Sequence, residues 1–234
     1  HSFSRRQRQM CIRDRYLGNS MPIRDMEFYC ATSDSDSRCG PVALGSNRGS
    51  SGIDGVTSSA AGFAESLGSP VTLVVGDVSF IHDSNGLNLL SGPHSSKRSP
   101  LTTVVVNNNG GRIFEMLPVA KTIESSVLDS CFITSPEADI ASLCRAYRIP
   151  YQFATNKEDM VRALQIAWSS KVHNVIEIAV DPNSSTDFRS FVRERVKEDI
   201  GRFTAQKMFL ASDLWNEQNC IQLDKMICEK VTYP

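Results

Sequence analysis

Uninterrupted apolar runs frame this chain. Val71-Thr-Leu-Val-Val75 is closed by Gly76-Asp77, Leu101-Thr-Thr-Val-Val-Val106 by Asn107-Asn-Asn-Gly-Gly111, and Asn174-Val-Ile-Glu-Ile-Ala-Val180 by Asp181-Pro182. Each has the length of a buried strand, and the lack of polar alternation predicts a parallel sheet covered on both faces. Helical patterns lie between them. One, rich in small residues, runs from Gly55 to Leu67, and a short one covers Asn85 to Leu90. Ser135-Pro-Glu-Ala-Asp139 predicts a helix start with Ser135 as N-cap and Pro136 at the first helical position, reaching about Tyr147. Thr155-Asn-Lys-Glu158 reads as a capping box before a helix over Asp159 to Ser169. Strands alternating with helices predict an α/β fold: an open parallel sheet with right-handed crossovers and helices on both faces.

The ends differ in character. Residues 1–15 are arginine-rich without an apolar period or a hydrophobic signal core. A basic transit-peptide remnant is one reading; a non-native or disordered leader is preferred. The α/β domain is expected over 16–182. After Asp181 a long charged helical stretch runs from Asp187 to Leu210, and a strand candidate lies at Lys225 to Val231. Residues 183–234 are therefore expected to form a helical extension and a linker or the start of another domain.

Composition removes several function classes. Hydrophobic residues make up 41% of the 234 positions, charged residues 22%, and the formal net charge is −1. Nothing in that balance points to nucleic acid or an acidic membrane surface. No apolar run approaches the ~20 residues of a membrane helix. The seven cysteines, at 11, 30, 39, 131, 144, 220 and 228, show no CxxC or zinc-finger spacing. They read as reduced, mostly buried thiols, with a Cys30–Cys39 pair as the minor alternative.

Candidate chemistry sits where the runs stop. Open α/β sheets bind ligands outside the carboxyl ends of their strands. Asp77 and the Asn107–Asn109 amides are hard oxygen donors suited to magnesium, which takes a few ligands from protein and the rest from phosphates and water. The adjoining glycines let backbone approach a diphosphate. Taken singly, Gly-Asp and Asn-Asn-Gly-Gly are ordinary turns. Together, one crossover apart, they are a more specific pair.

That pair resembles the thiamine-diphosphate motif, in which GD and NN bracket roughly thirty residues. Four longer runs narrow the resemblance: Gly18-Asn-Ser-Met-Pro-Ile-Arg-Asp25, Asn47-Arg-Gly-Ser-Ser-Gly-Ile-Asp-Gly55, Gly76-Asp-Val-Ser-Phe-Ile-His-Asp83 and Asn107-Asn-Asn-Gly-Gly-Arg-Ile-Phe114. In this order and at these separations they resemble the SEPHCHC synthase family, in its plant and algal form, over about residues 17–182. The resemblance implies thiamine diphosphate with magnesium (or manganese) as cofactors. It implies Asp77, Asn108 and the Gly110 carbonyl as metal ligands. Ser51, Gly52, Ile53, Gly76, Val78, Ser79, Gly111 and Ile113 would touch the cofactor, with Ile53 as the apolar buttress beneath its thiazolium ring. Ile113, Phe114 and Leu117 would wall the substrate ring, and Ser20, Arg24 and Arg48 would meet substrate carboxylates. The arginine roles make chemical sense for dianionic substrates, because guanidinium grips carboxylate with two parallel bonds. Arg24 and Arg48 are also open to a surface ion-pair reading. His82 is open to two readings, a catalytic group or a partner of Asp83.

The implied reaction is a carboligation: 2-oxoglutarate loses carbon dioxide and its remainder joins isochorismate. The family places the activating glutamate on a pyrimidine-binding domain of a second subunit, which no segment before Tyr16 resembles. A homo-oligomeric full-length enzyme is expected, with this part inactive alone. The implied location is the plastid for a plant or alga and the cytoplasm for a bacterium. The rivals are another thiamine-diphosphate enzyme such as acetolactate synthase, or a non-catalytic α/β scaffold.

Overall fold

The computed structural model describes residues 14–29, 43–47, 52–93 and 95–212. The chain divides into two units between Pro182 and Asn183. The first holds a six-stranded sheet: β1 Asp14–Leu17, β2 Leu44–Ser46, β3 Val71–Gly76, β4 Leu101–Asn107, β5 Tyr151–Ala154 and β6 Asn174–Ala179. The strand order is β2-β1-β3-β4-β6-β5, and every pairing is parallel. Its helices are α1 Met21–Tyr29, α2 Val56–Leu67, α3 Asp77–His82, α4 Ser125–Leu128, α5 Ile140–Ala146 and α6 Lys157–Ser170. Helix α7, Pro182–Ser212, makes up the described part of the second unit. Ion pairs one turn apart, Lys197–Glu194 and Arg195–Glu198 among them, support this polar helix. No helix among the described residues is long and apolar enough to cross a membrane.

The three apolar runs are β3, β4 and β6, side by side in the middle of the sheet. Residues alternate between its faces. Val71, Leu73, Val75, Leu101, Val105 and Val175 join the larger core with Phe80 and Leu87. Ile176 and Ile178 turn the other way and meet Ala163, Leu164 and Ala167 of α6. Both faces are thus covered, as the apolar runs require. Small residues let α2 settle closely: Ala60 and Ala64 are fully buried. Gly55 and Gly68, both left-handed, bound that helix.

Several expectations shift. Strand β1 begins at Asp14, inside the segment assigned to the leader. Asp14 accepts hydrogen bonds from the Ala43 amide at 2.9 Å and the Ser69 hydroxyl at 2.6 Å, so it ties three segments together. The helix expected from Ser135 begins at Ile140, because Asp139 is the N-cap and accepts from the Ser142 amide. The Ser135 hydroxyl is engaged elsewhere, donating to the Asn109 carbonyl. Asn156, not Thr155, caps α6. The short helix expected over Asn85 to Leu90 is a 3-10 helix, Ser84–Leu90. Cys144 is buried but Cys131 is exposed. The other five cysteines and the strand candidate at 225–231 lie outside the described residues.

His173 clamps the amino edge of the sheet. Its Nδ1 accepts from the Leu101 amide at 3.1 Å, and its Nε2 lies 3.2 Å from the Ser95 carbonyl. This fixes the neutral tautomer with the proton on Nε2. Burial holds its pKa below the ordinary value, with nearby Arg98 acting in the same direction and Glu65 and the Ser95 carbonyl opposing. The unfolded chain takes up a proton near pH 6.5, while the folded chain resists it. Stability is therefore full above about pH 6.5 and falls as pH drops toward the lowered folded value, by up to about 1.4 kcal/mol per pH unit. Urea denaturation from about pH 7.5 to 5 should show this slope, and His173→Gln should flatten it.

Candidate functional site

A parallel sheet puts all its carboxyl ends on one edge. Reading across that edge, the order β2-β1-β3-β4 places Asn47, Ser20, Gly76-Asp77 and the Asn107–Gly111 turn in succession. The chain runs one way from β1 to β2 and the other from β3 to β4. The switch point therefore falls between β1 and β3, where the Gly18 amide donates to Val74. Open α/β sheets receive ligands at such a point.

Register brings the two halves of the motif together. Gly76 pairs with Val106, so Asp77 and Asn107 leave the sheet side by side. Asp77 is only 2% exposed, and its Oδ2 accepts from the Gly110 amide at 2.7 Å. Burial raises its pKa, opposed by the amides of Gly110, Val78, Asp77 and Asn109. No cation is paired with it among the described residues. A buried carboxylate in that condition is costly until a positive charge arrives.

The Asn107–Gly111 turn is held from several sides. Asn107 Oδ1 accepts from the Asn109 amide at 3.0 Å, and the Ser135 hydroxyl donates to the Asn109 carbonyl at 2.9 Å. The Gly111 amide donates to the Ile133 carbonyl at 2.7 Å. Asn109 and Gly110 both have positive φ, 62° and 119°. A Cβ on Gly110 would lie 2.6 Å from the Ile133 carbonyl oxygen, so glycine is obligatory there. Ile133 closes a single π-helical turn, Asp129–Ile133, pressed onto this loop. Asn108, in contrast, makes no side-chain hydrogen bond among the described residues. Gly76 differs too: its φ is ordinary and an added Cβ would meet nothing within 4 Å. The chain's own packing does not require that glycine.

Other expected site residues are placed as follows. Val78 and Ser79 follow Asp77 on α3, with Ser79 buried. Ile113 and Phe114 lie on the 3-10 turn Arg112–Met116, with Leu117 just beyond. Phe114 meets the edge of the Phe132 ring, while it and Leu117 stay 36% and 43% exposed. Arg112 pairs with Glu115 at 2.6 Å. Ser20, at φ 70°, accepts from Arg24 through its carbonyl at 2.6 Å, and Arg24 is exposed. Gly52 and Ile53 occupy the turn before α2, with Gly52 left-handed. Arg48 and Ser51 lie outside the described residues.

Sequence reasoning missed the supports. Asn19 donates to the carbonyls of Asn47 (2.9 Å) and Gly52 (2.6 Å), fastening both ends of the segment that carries Arg48. Asn47 accepts from the Tyr16 hydroxyl and donates to Ser59. His82 does not pair with Asp83; it lies 3.4 Å from Asp54. Asp83 instead receives the Ser58 amide at 2.8 Å and its hydroxyl at 3.1 Å, capping α2 from outside. Asn19, Asn47, His82 and Asp83 stood inside the quoted runs, but their partners are distant in sequence.

The donors at this edge are a carboxylate, a free amide oxygen and a backbone carbonyl. Among the described residues there is no cluster of three or more His, Cys, Asp or Glu side chains. Such a set fits a hard ion that brings phosphate and water ligands with it, as magnesium or manganese does. The model of the family described as "Thiamine pyrophosphate enzyme, C-terminal TPP binding domain" matches residues 41–178. The chain belongs to this family. Among its relatives, the chain is 36% identical to "Protein PHYLLO, chloroplastic" of Arabidopsis thaliana over 205 residues, covering 81% of the chain and 12% of that protein. It is 45% identical to 2-succinyl-5-enolpyruvyl-6-hydroxy-3-cyclohexene-1-carboxylate synthase of Prosthecochloris aestuarii over 163 residues, covering 70% and 26%. The chain thus spans about a quarter or less of these two relatives. The fold resembles the crystal structure of benzoylformate decarboxylase from Polynucleobacter necessarius, with a TM-score of 0.57 at 18% identity, covering 73% of this chain and 30% of that one.

Two glycines at this edge should separate the chain's own requirements from those of a bound ligand. Gly110→Ala should cost about 2 kcal/mol or more, from its positive φ and the clash with Ile133. Gly76→Ala should change stability by less than about 0.5 kcal/mol, yet weaken thiamine diphosphate binding. Urea denaturation and calorimetric titration with magnesium and thiamine diphosphate measure the two effects.

Proposed function

We propose that this chain is the cofactor-binding part of a SEPHCHC synthase, the transferase that joins 2-oxoglutarate, with loss of carbon dioxide, to isochorismate. The observation that carries this reading is the Asp77–Gly110 hydrogen bond, which assembles the two halves of the diphosphate motif. Relatives bearing that enzyme name at 36% to 45% identity support the substrate class. Thiamine diphosphate, when bound, supplies the nucleophilic carbon and holds the charge released by decarboxylation.

The chain's own residues do the holding and orienting. Asp77, Asn108 and the Gly110 carbonyl would ligate magnesium or manganese, and Gly76, Val78, Ser79 and Gly111 would lie along the diphosphate. Ser51, Gly52, Ile53 and Ile113 would touch the cofactor, with Ile53 as the apolar buttress beneath its thiazolium and Ile113 also walling the substrate ring. Phe114 and Leu117, already partly exposed, would exclude water from the substrate ring. Ser20, Arg24 and Arg48 would bind the carboxylates of both dianionic substrates. A pyrimidine-binding domain from a second subunit would complete the site in a homo-oligomer. Plastid residence is proposed for a plant or algal source, in keeping with the chloroplastic relative.

Four experiments test this reading. Magnesium with thiamine diphosphate should raise the melting temperature of the chain, and a chelator should remove the rise. Asp77→Asn should be neutral or stabilising without ligands, since it relieves a buried charge yet can still accept from Gly110; the ligand-dependent rise should vanish. The chain alone, given all substrates, should release no more carbon dioxide than cofactor in buffer. Arg48→Ala in a full-length enzyme should lower kcat/KM for 2-oxoglutarate and isochorismate by roughly tenfold or more. A normal thermal response in the Asp77 variant would overturn the metal assignment.

A further inference from the structure

Glu177 is the one charged residue in the apolar run that forms β6, and it is 7% exposed. Its carboxylate has two hydrogen-bond donors. The Tyr151 hydroxyl of β5 donates to Oε2 at 2.6 Å, and the Asn107 side-chain amide at the end of β4 donates to Oε1 at 2.7 Å. No cation is paired with it among the described residues. An apolar residue at this position would satisfy the core without burying a charge. What the carboxylate adds is orientation. With Nδ2 of Asn107 held by Glu177, Oδ1 is turned to accept the Asn109 amide at 3.0 Å. That bond precedes the two positive-φ residues, and the next amide, Gly110, donates to Asp77. The links run Tyr151, Glu177, Asn107, Asn109, then Gly110 to Asp77. They cross four neighbouring strands, β5-β6-β4-β3.

We propose that Glu177, braced by Tyr151, is a positioning residue that sets the Asn107–Gly110 turn and thereby the placement of Asn108 and the Gly110 carbonyl. It touches neither ligand nor metal and acts through Asn107. The consequence for metal binding rests on the functional reading above; the consequence for the turn does not.

The test uses the whole chain and two readouts. Hydrogen exchange, followed by NMR, reports the turn without any ligand. In Glu177→Met the Asn109 and Gly110 amides should exchange at least about tenfold faster than in the parent, relative to core amides of β3 such as Leu73. In Glu177→Gln they should stay near the parent rate, because the amide oxygen still accepts from Asn107 and its nitrogen can donate to Tyr151. Manganese binding with thiamine diphosphate, followed by electron paramagnetic resonance, should weaken about tenfold in the Met variant and recover in the Gln variant. Should the Met variant not fold, Tyr151→Phe carries the test, with about threefold faster exchange at the same two amides. Unchanged relative exchange at Asn109 and Gly110 overturns the proposal. If those amides loosen but manganese binding ignores both Glu177→Met and Asp77→Asn, Glu177 still positions the turn and the metal reading fails.

Discussion

The buried carboxylate of Asp77 is the constraint around which this fold is arranged. A charge that is 2% exposed needs partners, and here they are backbone amides. Gly110 must bring its amide within 2.7 Å, so the chain leaving β4 has to double back over the end of β3. Such a path forces Asn109 and Gly110 into positive φ and presses Gly110 against the Ile133 carbonyl. The adjacency of β3 and β4 makes that hydrogen bond possible, and the double glycine and the π-helical turn behind it accommodate the path. Even so, amides only partly offset the desolvation, and the pKa stays raised. The native state retains an electrostatic demand that folding alone leaves unmet.

The loops at this edge are shaped by side chains that cap or staple backbone at a distance. Asp83 caps α2 from another element, and a Cβ on Gly86 would press on this cap, 2.7 Å from the Ser58 hydroxyl and 2.9 Å from Asp83 Oδ2. Asn19 holds the carbonyls of Asn47 and Gly52. Ser135, which could have capped a helix, instead holds the Asn107–Gly111 turn. Each use takes a polar side chain out of its local role and commits it to a long-range one. That is how a rigid sheet fixes loops whose own backbone bonding is sparse.

This division decides what sequence alone could show. The central strands β3, β4 and β6 were legible because strands buried on both faces are written as continuous apolar runs. Asp77 and the Asn107–Gly111 cluster were legible because strand ends with glycine and hard oxygen donors are rare in combination. Strand β2 is three residues long and contains Gly45, whose missing side chain makes room for the Tyr16 ring. Strand β1 begins with Asp-Arg, and edge strand β5 leaves Phe153 exposed. None of the three carries a pattern that distinguishes it from a loop. The helix start at Ser135 was misplaced because Asp139 offers an equal cap, and only the contact with Asn109 decides between them. Glu177 left one trace, a charge inside an apolar run, whose meaning depends on Asn107 seventy residues away.

On the proposed reading, the unmet demand at Asp77 also dictates how its ligands bind. The carboxylate and a diphosphate are both anionic, and in a partly buried site their repulsion is poorly screened. Diphosphate alone would meet that repulsion. Magnesium alone would meet one carboxylate, one amide and one carbonyl, short of the six oxygens it requires, and it dehydrates reluctantly. Together, each supplies what the other lacks: the ion cancels the repulsion and the diphosphate fills the coordination sphere. The coupling is reciprocal by linkage, so whatever the ion adds to diphosphate affinity, the diphosphate adds to the ion's. The turn at Asn108 and Gly110 then works as the meeting point of the two ligands, and its rigidity sets the size of the coupling. A loose turn would let either ligand find partial satisfaction alone; a fixed one makes the pair the only arrangement that neutralises Asp77.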